Sequence, residues 1–248
     1  MTYEKMNAVL ERLSRRPFAV IGHRGARGEA PENTLKALHQ AIRSGADIAE
    51  FDLHATKDKH VIVHHDPVIH ANGGGRIVIK EATFSSIRKI TVSGEPIPSL
   101  EEVLAEARDK IPLFLEVKDP ADTELIITTI KKENASDWVA IISFYDQVLR
   151  DAKRINRNIA TGLIYYQPPG KILEAKKIGA EIVLPRYNVA SEKAIGFAHR
   201  LNLKVVVWTL NDEKRIRIYY RRGVDGIATD YPSRVVRIRD QIAMEDKG

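Results

Sequence analysis

Short β-branched runs recur along this chain with helix-length segments between them, and that alternation constrains the fold more than any single motif. The strand-like runs are Phe18 to Ile21, Ile48 to Leu53, Val61 to His64, Leu113 to Val117, Val139 to Phe144, Ala160 to Tyr165, Glu181 to Leu184 and Lys204 to Thr209. Helical spacing falls over Thr34 to Ser44, Leu100 to Arg108, Asp122 to Lys132, Gln147 to Arg154, Gly170 to Ile178, Ser191 to Leu201 and Glu213 to Arg222. Strands that alternate with helices build parallel sheet, because a parallel neighbour can be reached only through a crossover. At 248 residues, with no low-complexity linker, the chain is expected to be α/β: a single irregular (β/α)8 TIM barrel forming one domain over 1–248.

Two stretches depart from the pattern. Leu53 and Val61 are too close for a crossover helix, which leaves an extended return or a hairpin between those runs. The segment from Asp66 to Pro98, with Asn72-Gly73-Gly74-Gly75 inside it, is turn-rich and reads as a small insertion (66–98) over the barrel mouth, a short excursion after the third strand. A further apolar run, Gly226-Ile227-Ala228-Thr229-Asp230, competes for the place of closing strand. Ahead of the first strand, Met6 to Leu13 has the spacing of a packing or capping helix.

Hydrophobic residues make up 44% and charged residues 29%, the profile of a soluble globular protein. The net charge of +6 favours anionic partners without choosing among them. Basic residues are densest from Arg215 through Arg217, Arg221 and Arg222 to Arg234, Arg237 and Arg239, read as solvated helix faces, with a lipid surface or acidic partner as the alternative. No nucleic-acid recognition motif accompanies them. With no Cys, disulfides, thiolate metal sites and cysteine nucleophiles are excluded. Met1 to Arg16 carries acids and bases but no apolar signal region, and no run approaches the roughly 18 apolar residues of a spanning helix. No transmembrane segment and a cytoplasmic location are therefore expected.

The chemistry-bearing residues collect at strand ends. His23 and Arg24 follow Phe18 to Ile21 between glycines, and Asn33 or Thr34 can cap the helix after them. Glu50 and Asp52, two apart in a strand, point to one face, a costly arrangement unless a cation or hydrogen bonds compensate. Glu116 ends another apolar run, and in a barrel the C-terminal strand ends converge on one mouth. Three carboxylates without Cys suit a hard cation, Mg2+ or Ca2+. His64 and His65 close the run before Asp66, and alternation leaves open which of them faces inward. Two imidazoles at one mouth can divide general-acid and general-base roles. His54 shares the face of Glu50 and Asp52 and reads as structural; His39, His60, His70 and His199 read as surface residues.

Taken in order, His23-Arg24-Gly25, Pro31-Glu32-Asn33-Thr34, Glu50-Phe51-Asp52, Thr56-Lys57-Asp58, Val63-His64-His65-Asp66, Ile97-Pro98-Ser99-Leu100-Glu101-Glu102-Val103-Leu104, Glu116-Val117-Lys118, Ser143-Phe144, Trp208-Thr209 and Asp225-Gly226-Ile227-Ala228-Thr229-Asp230 resemble the glycerophosphodiester phosphodiesterase family. That family belongs with the barrel phosphodiesterases that include phosphatidylinositol-specific phospholipase C. The resemblance implies that His23 and His65 are the acid-base pair and that Glu50, Asp52 and Glu116 hold one divalent cation. It also implies that Arg24 and Lys118 face the phosphate, chemistry suited to a guanidinium fork and a point charge, and that Trp208 walls the substrate. Phe144 and Tyr187 are further candidates for that wall. Lys59 stands where the family commonly has glycine, His64 replaces a common aromatic, and the 66–98 segment is short beside members with a large cap.

The implied reaction is metal-dependent hydrolysis of a glycerophosphodiester. The glycerol 2-hydroxyl attacks phosphorus, one His taking its proton and the other protonating the departing alcohol, and water then opens the cyclic phosphate. Two alternatives stand beside it. A lysophospholipase D would use the same apparatus on lysophospholipids, with peripheral membrane contact, and an inactive phosphate- or membrane-binding barrel would use none of it.

Overall fold

The computed structural model describes residues 6–70, 75–167 and 171–246. Eight parallel strands form a closed barrel: β1 (Ala19–Gly22), β2 (Ile48–Ala55), β3 (Leu113–Val117), β4 (Val139–Ser143), β5 (Ala160–Tyr165), β6 (Ile182–Pro185), β7 (Lys204–Val207) and β8 (Gly226–Thr229). Each strand pairs with its neighbours in sequence order. Closure comes from β1, which pairs with β8 through Ala19↔Gly226 and with β2 through Ile21↔Ile48.

Val61–Val63 is not a barrel strand. It runs antiparallel to the upper end of β2, in the register Leu53↔Val63, His54↔Ile62 and Ala55↔Val61. The connection is a hairpin because β2 extends to Ala55 and only Thr56 to His60 separate the two strands. In that turn Lys59 adopts φ 65, the left-handed conformation that favours the glycine it replaces. The closing place belongs to Gly226–Thr229.

The barrel has two apolar layers. Outward-facing residues such as Ala49, Phe51, Leu115 and Ile141 pack beneath the helices, while Ile21, Ile48, Phe114, Ile142, Ile164, Leu184 and Val206 fill the interior. This is period-2 alternation with both faces apolar, as a parallel sheet covered by helices requires. The helix Ala8–Arg12 caps the barrel: Val9 and Leu13 are fully buried in the interior cluster, and Asn7 Nδ2 donates to the carbonyls of Ser136 and Val139, both at 3.0 Å.

The excursion after Val63 carries two small antiparallel pairs, Val68–His70 with Arg76–Val78 and Thr91–Val92 with Glu95–Pro96, and a short helix, Phe84–Ile87. It has its own apolar cluster of Ile62, Ile69, Ile79, Ile87 and Ile97, and Lys80 ties it to Asp119 beyond β3. The turn expected at Asn72-Gly73-Gly74 and the helix start expected at Gly170 lie outside the described residues. Along the basic C-terminal stretch, Arg215 pairs with Asp212 and Arg217 with Glu213 and Glu245, while Arg239 is buried against Asp47 at 2.6 Å. Among the described residues no helix is long and apolar enough to cross a membrane.

Candidate active site

The register of β2 against β3 assembles the acids. Asp52 is the Cα partner of Glu116, so both side chains point to the same face, and Glu50 joins them two residues earlier on β2. Oxygens of all three lie within 4.8 Å of one another. All three side chains are largely buried. Glu50 Oε2 accepts from the Arg24 backbone N–H at 2.8 Å, but Glu50 Oε1, also buried, has no hydrogen-bond partner. Lys118, two residues beyond Glu116, bridges Glu116 Oε1 at 2.7 Å and Asp52 Oδ1 at 3.0 Å.

The acids respond unequally to this crowding. Burial, followed by the charges of Asp52 and Glu116, holds the Glu50 carboxyl well above its ordinary range. Burial and the neighbouring Asp52 push Glu116 up to about 7. Burial would raise Asp52 as well, yet Lys118, Arg24 and Asn33 outweigh it and hold that carboxyl below its ordinary value. An orphaned buried oxygen on one of two neighbouring acids that resist ionisation makes this a donor set suited to a cation. All-oxygen ligation fits Mg2+ or Ca2+.

The loop after β1 is built around this cluster. Gly22 is required because a Cβ there would stand 2.0 Å from the Gly25 carbonyl oxygen. Arg24 takes φ 49, which turns its N–H onto Glu50, and its guanidinium reaches Glu32 Oε1 at 2.7 Å and Asp52 Oδ2 at 3.4 Å. Of the two expected helix-capping candidates, Thr34 is the cap, accepting from Ala37 N–H at 3.1 Å. Asn33, at φ 57, instead donates from Nδ2 to Asp52 Oδ2 at 2.9 Å.

Two histidines face the cavity. His23 follows β1, and its Nδ1 lies 2.7 Å from Asp230 Oδ1 at the end of β8. Asp230 Oδ2 accepts from Asn211 Nδ2 at 2.8 Å, and Asn211 Oδ1 accepts from the Asp230 N–H at 2.9 Å, so that the carboxylate is held at both ends. Burial opposes ionisation of Asp230, but His23 and Asn211 outweigh it and hold the carboxyl below its ordinary value. The hairpin brings the second histidine: the His64 N–H donates to the Asp52 carbonyl at 3.0 Å, which leaves His65 lining the cavity with Nδ1 2.8 Å from Asp66 Oδ1. Burial lowers the His65 pKa; Asp52 opposes this, and Lys118 and Arg24 add to it. His64 lines a separate groove against the excursion and bonds the Asp66 carbonyl. His54 is buried, its Nε2 3.1 Å from the His65 carbonyl oxygen, as a supporting residue would be.

A cavity of about 270 Å³ lies at the C-terminal end of the barrel. His23, Arg24, Glu50, Asp52, His65, Glu116 and Lys118 form one side, and Phe144 and Trp208 stand across from them. Tyr187, expected on that wall, is not among the lining residues; its ring packs edge-on to Tyr219 at 6.2 Å and beneath Arg215. Sequence reasoning assigned no role to Asp230, Asn211 or Glu32. Asp230 and Glu32 lie inside motifs that carry the family resemblance, so their positions are visible in the sequence though their partners are not. Asn211 carries no local signal.

A family model described as the glycerophosphoryl diester phosphodiesterase family matches residues 23–234. A glycerophosphodiester phosphodiesterase of Caldanaerobacter subterraneus subsp. tengcongensis is 32% identical over 237 residues, covering 88% of this chain and 96% of that protein. The crystal structure of a glycerophosphodiester phosphodiesterase from Parabacteroides distasonis superposes with a TM-score of 0.82 at 26% identity, over 92% of this chain and 98% of the other. One from Thermotoga maritima superposes with 0.79 at 26% identity, over 90% and 98%.

Proposed function

This chain belongs to the glycerophosphoryl diester phosphodiesterase family, and we propose that its reaction runs on two histidines and three metal-binding carboxylates. It is a phosphoric diester hydrolase acting on glycerophosphodiesters; glycerol 3-phosphate and an alcohol are the products in this reading. The observation that carries the mechanism is the convergence of Glu50, Asp52 and Glu116, oxygens within 4.8 Å, in the same cavity as His23 and His65.

Glu50, Asp52 and Glu116 would hold the cation, Mg2+ or Ca2+, which supplies Lewis-acid stabilisation of charge on the phosphoryl group. A carboxylate only accepts, so Asp230 and Asp66 keep the proton of each imidazole on Nδ1 and leave Nε2 to exchange protons with the substrate. One histidine takes the proton of the glycerol 2-hydroxyl as its oxygen bonds to phosphorus. The ester bond to the alcohol breaks, and the other histidine gives that oxygen its proton. Water opens the resulting cyclic phosphate with the two roles exchanged. Arg24 and Lys118 add positive charge where the phosphate binds, and Trp208 walls the site. The 1–248 chain acts as one catalytic unit in this reading, with 66–98 beside its mouth.

Glycerol 3-phosphate release from glycerophosphocholine tests the proposal. Activity should vanish in EDTA and return with Mg2+ or Ca2+, and His23→Ala or His65→Ala should each cost about 100-fold or more. Full turnover in metal-free protein, or near-normal turnover in either variant, would overturn it.

A further inference from the structure

A fourth carboxylate stands at the barrel mouth without joining the other three. Glu32 is not part of the cluster of Glu50, Asp52 and Glu116, and it lines the groove against the excursion instead of the reaction cavity. An anion so close to the cavity opposes the binding of a phosphate diester. Its position calls for a reason of its own.

Both Glu32 oxygens are taken by guanidiniums that do line the cavity. Arg24 Nη1 meets Oε1 at 2.7 Å, and Arg27 Nε meets Oε2 at 2.9 Å. Two cations and one anion leave the trio at net +1, so the cavity still presents positive charge despite the acid behind it. Arg27 has no other ion pair among the described residues. The loop holds the acid in place: the Asn33 N–H donates to the Arg24 carbonyl at 3.1 Å, and Thr34 Oγ1 donates to the Pro31 carbonyl at 2.6 Å. Glu32 lies between these two anchors, fixed relative to the arginine it binds.

Arg24 also has a competing partner. Its Nε is 3.4 Å from Asp52 Oδ2, yet that buried Nε makes no hydrogen bond. A guanidinium shared between two carboxylates closes on the second when the first is removed, because charge-assisted pairs strengthen steeply over the last ångström of approach. Without Glu32, Arg24 would settle on Asp52, neutralise a cation ligand and turn away from the phosphate.

We propose that Glu32 is a positioning residue that holds Arg24 off Asp52, keeping the cation-binding carboxylate and the phosphate-binding guanidinium apart. Arg27 completes the arrangement by holding the second Glu32 oxygen and offsetting its charge. The inference rests on the three-carboxylate reading above and adds to it which charge Asp52 is left to serve.

Calorimetry of Mg2+ or Ca2+ binding without substrate tests it through a double-mutant cycle. Glu32→Met should weaken cation binding about tenfold, as expected when one positive charge closes on a ligand. In an Arg24→Met background the same substitution should cost no more than about 2-fold, since only the more distant and screened charge of Glu32 is lost. Arg27→Gln should leave cation affinity undiminished while KM for glycerophosphocholine rises, because Glu32 then leans on Arg24 alone with its charge no longer offset. The Glu32 side chain is 36% exposed, so the variants should fold, and their thermal unfolding checks this. Equal losses with and without Arg24, or weaker cation binding in Arg27→Gln, would overturn the positioning role alone. A wild type that binds no cation would overturn the three-carboxylate reading, and the positioning role with it.

Discussion

Glu116 is where holding a cation and holding the fold together pull in opposite directions. Burial and Asp52 push its carboxyl up to about 7, against 4.5 for the ordinary group. The native state therefore binds this proton more tightly than the unfolded chain does. The associated stability is fully present below about pH 4.5 and is lost as pH rises through about 7. At about 1.36 kcal/mol per pKa unit, the full swing is about 3 kcal/mol. Glu116→Gln removes it, since an amide is neutral at every pH. The substitution also takes away one of the two carboxylates around Lys118, leaving Asp52 at 3.0 Å. The net gain at about pH 8 is thus expected to be about 1–2 kcal/mol rather than the full swing. Urea unfolding in EDTA at about pH 5 and about pH 8 measures it: the variant should gain on the wild type only at the higher pH. Saturating Mg2+ or Ca2+ should reverse the order, because ligand at a hundred times its Kd stabilises the native wild type by about 2.7 kcal/mol. A variant destabilised equally at both pH values in EDTA would refute the reasoning.

Two further substitutions probe the neighbours of this cluster. Asp230→Asn leaves His23 beside an amide instead of an anion and frees its tautomer, so kcat should fall about 100-fold or more with KM little changed. An unaltered kcat would show that the Asp230 contact serves packing only. Lys118→Met removes an ammonium that sits against both Asp52 and Glu116 and competes with any cation for them. Calorimetry should find divalent-cation affinity raised about tenfold while turnover falls, since two like charges a few ångströms apart near a protein surface repel by at least that much. Weaker binding in the variant would mean that Lys118 orders the carboxylates instead of opposing a cation.

How much of this was legible in the chain depends on the range over which each feature is decided. Alternation within one strand set the shared face of Glu50 and Asp52, and the β/α succession set the barrel, because both follow from neighbours a few residues apart. The short Val61–Val63 segment looked like a barrel strand because a hairpin strand buried on both faces has the same apolar composition; only its antiparallel pairing distinguishes it. The contact of His23 with Asp230 spans 207 positions and exists only because β8 closes against β1. The same applies to Asn211, a loop residue given its role by the chain end it meets. Phe144 and Tyr187 were equivalent in the sequence, each an aromatic following a strand, and differ because the turn after β6 carries Tyr187 onto Tyr219. The division of the mouth, by contrast, is written in chain order. The barrel strands sit side by side in sequence order, so charges following β1 to β3 and rings following β4 and β7 become two arcs of one rim. A linear segregation of residue types thereby becomes an angular one, with the ionisable side chains on one arc and an apolar surface on the other.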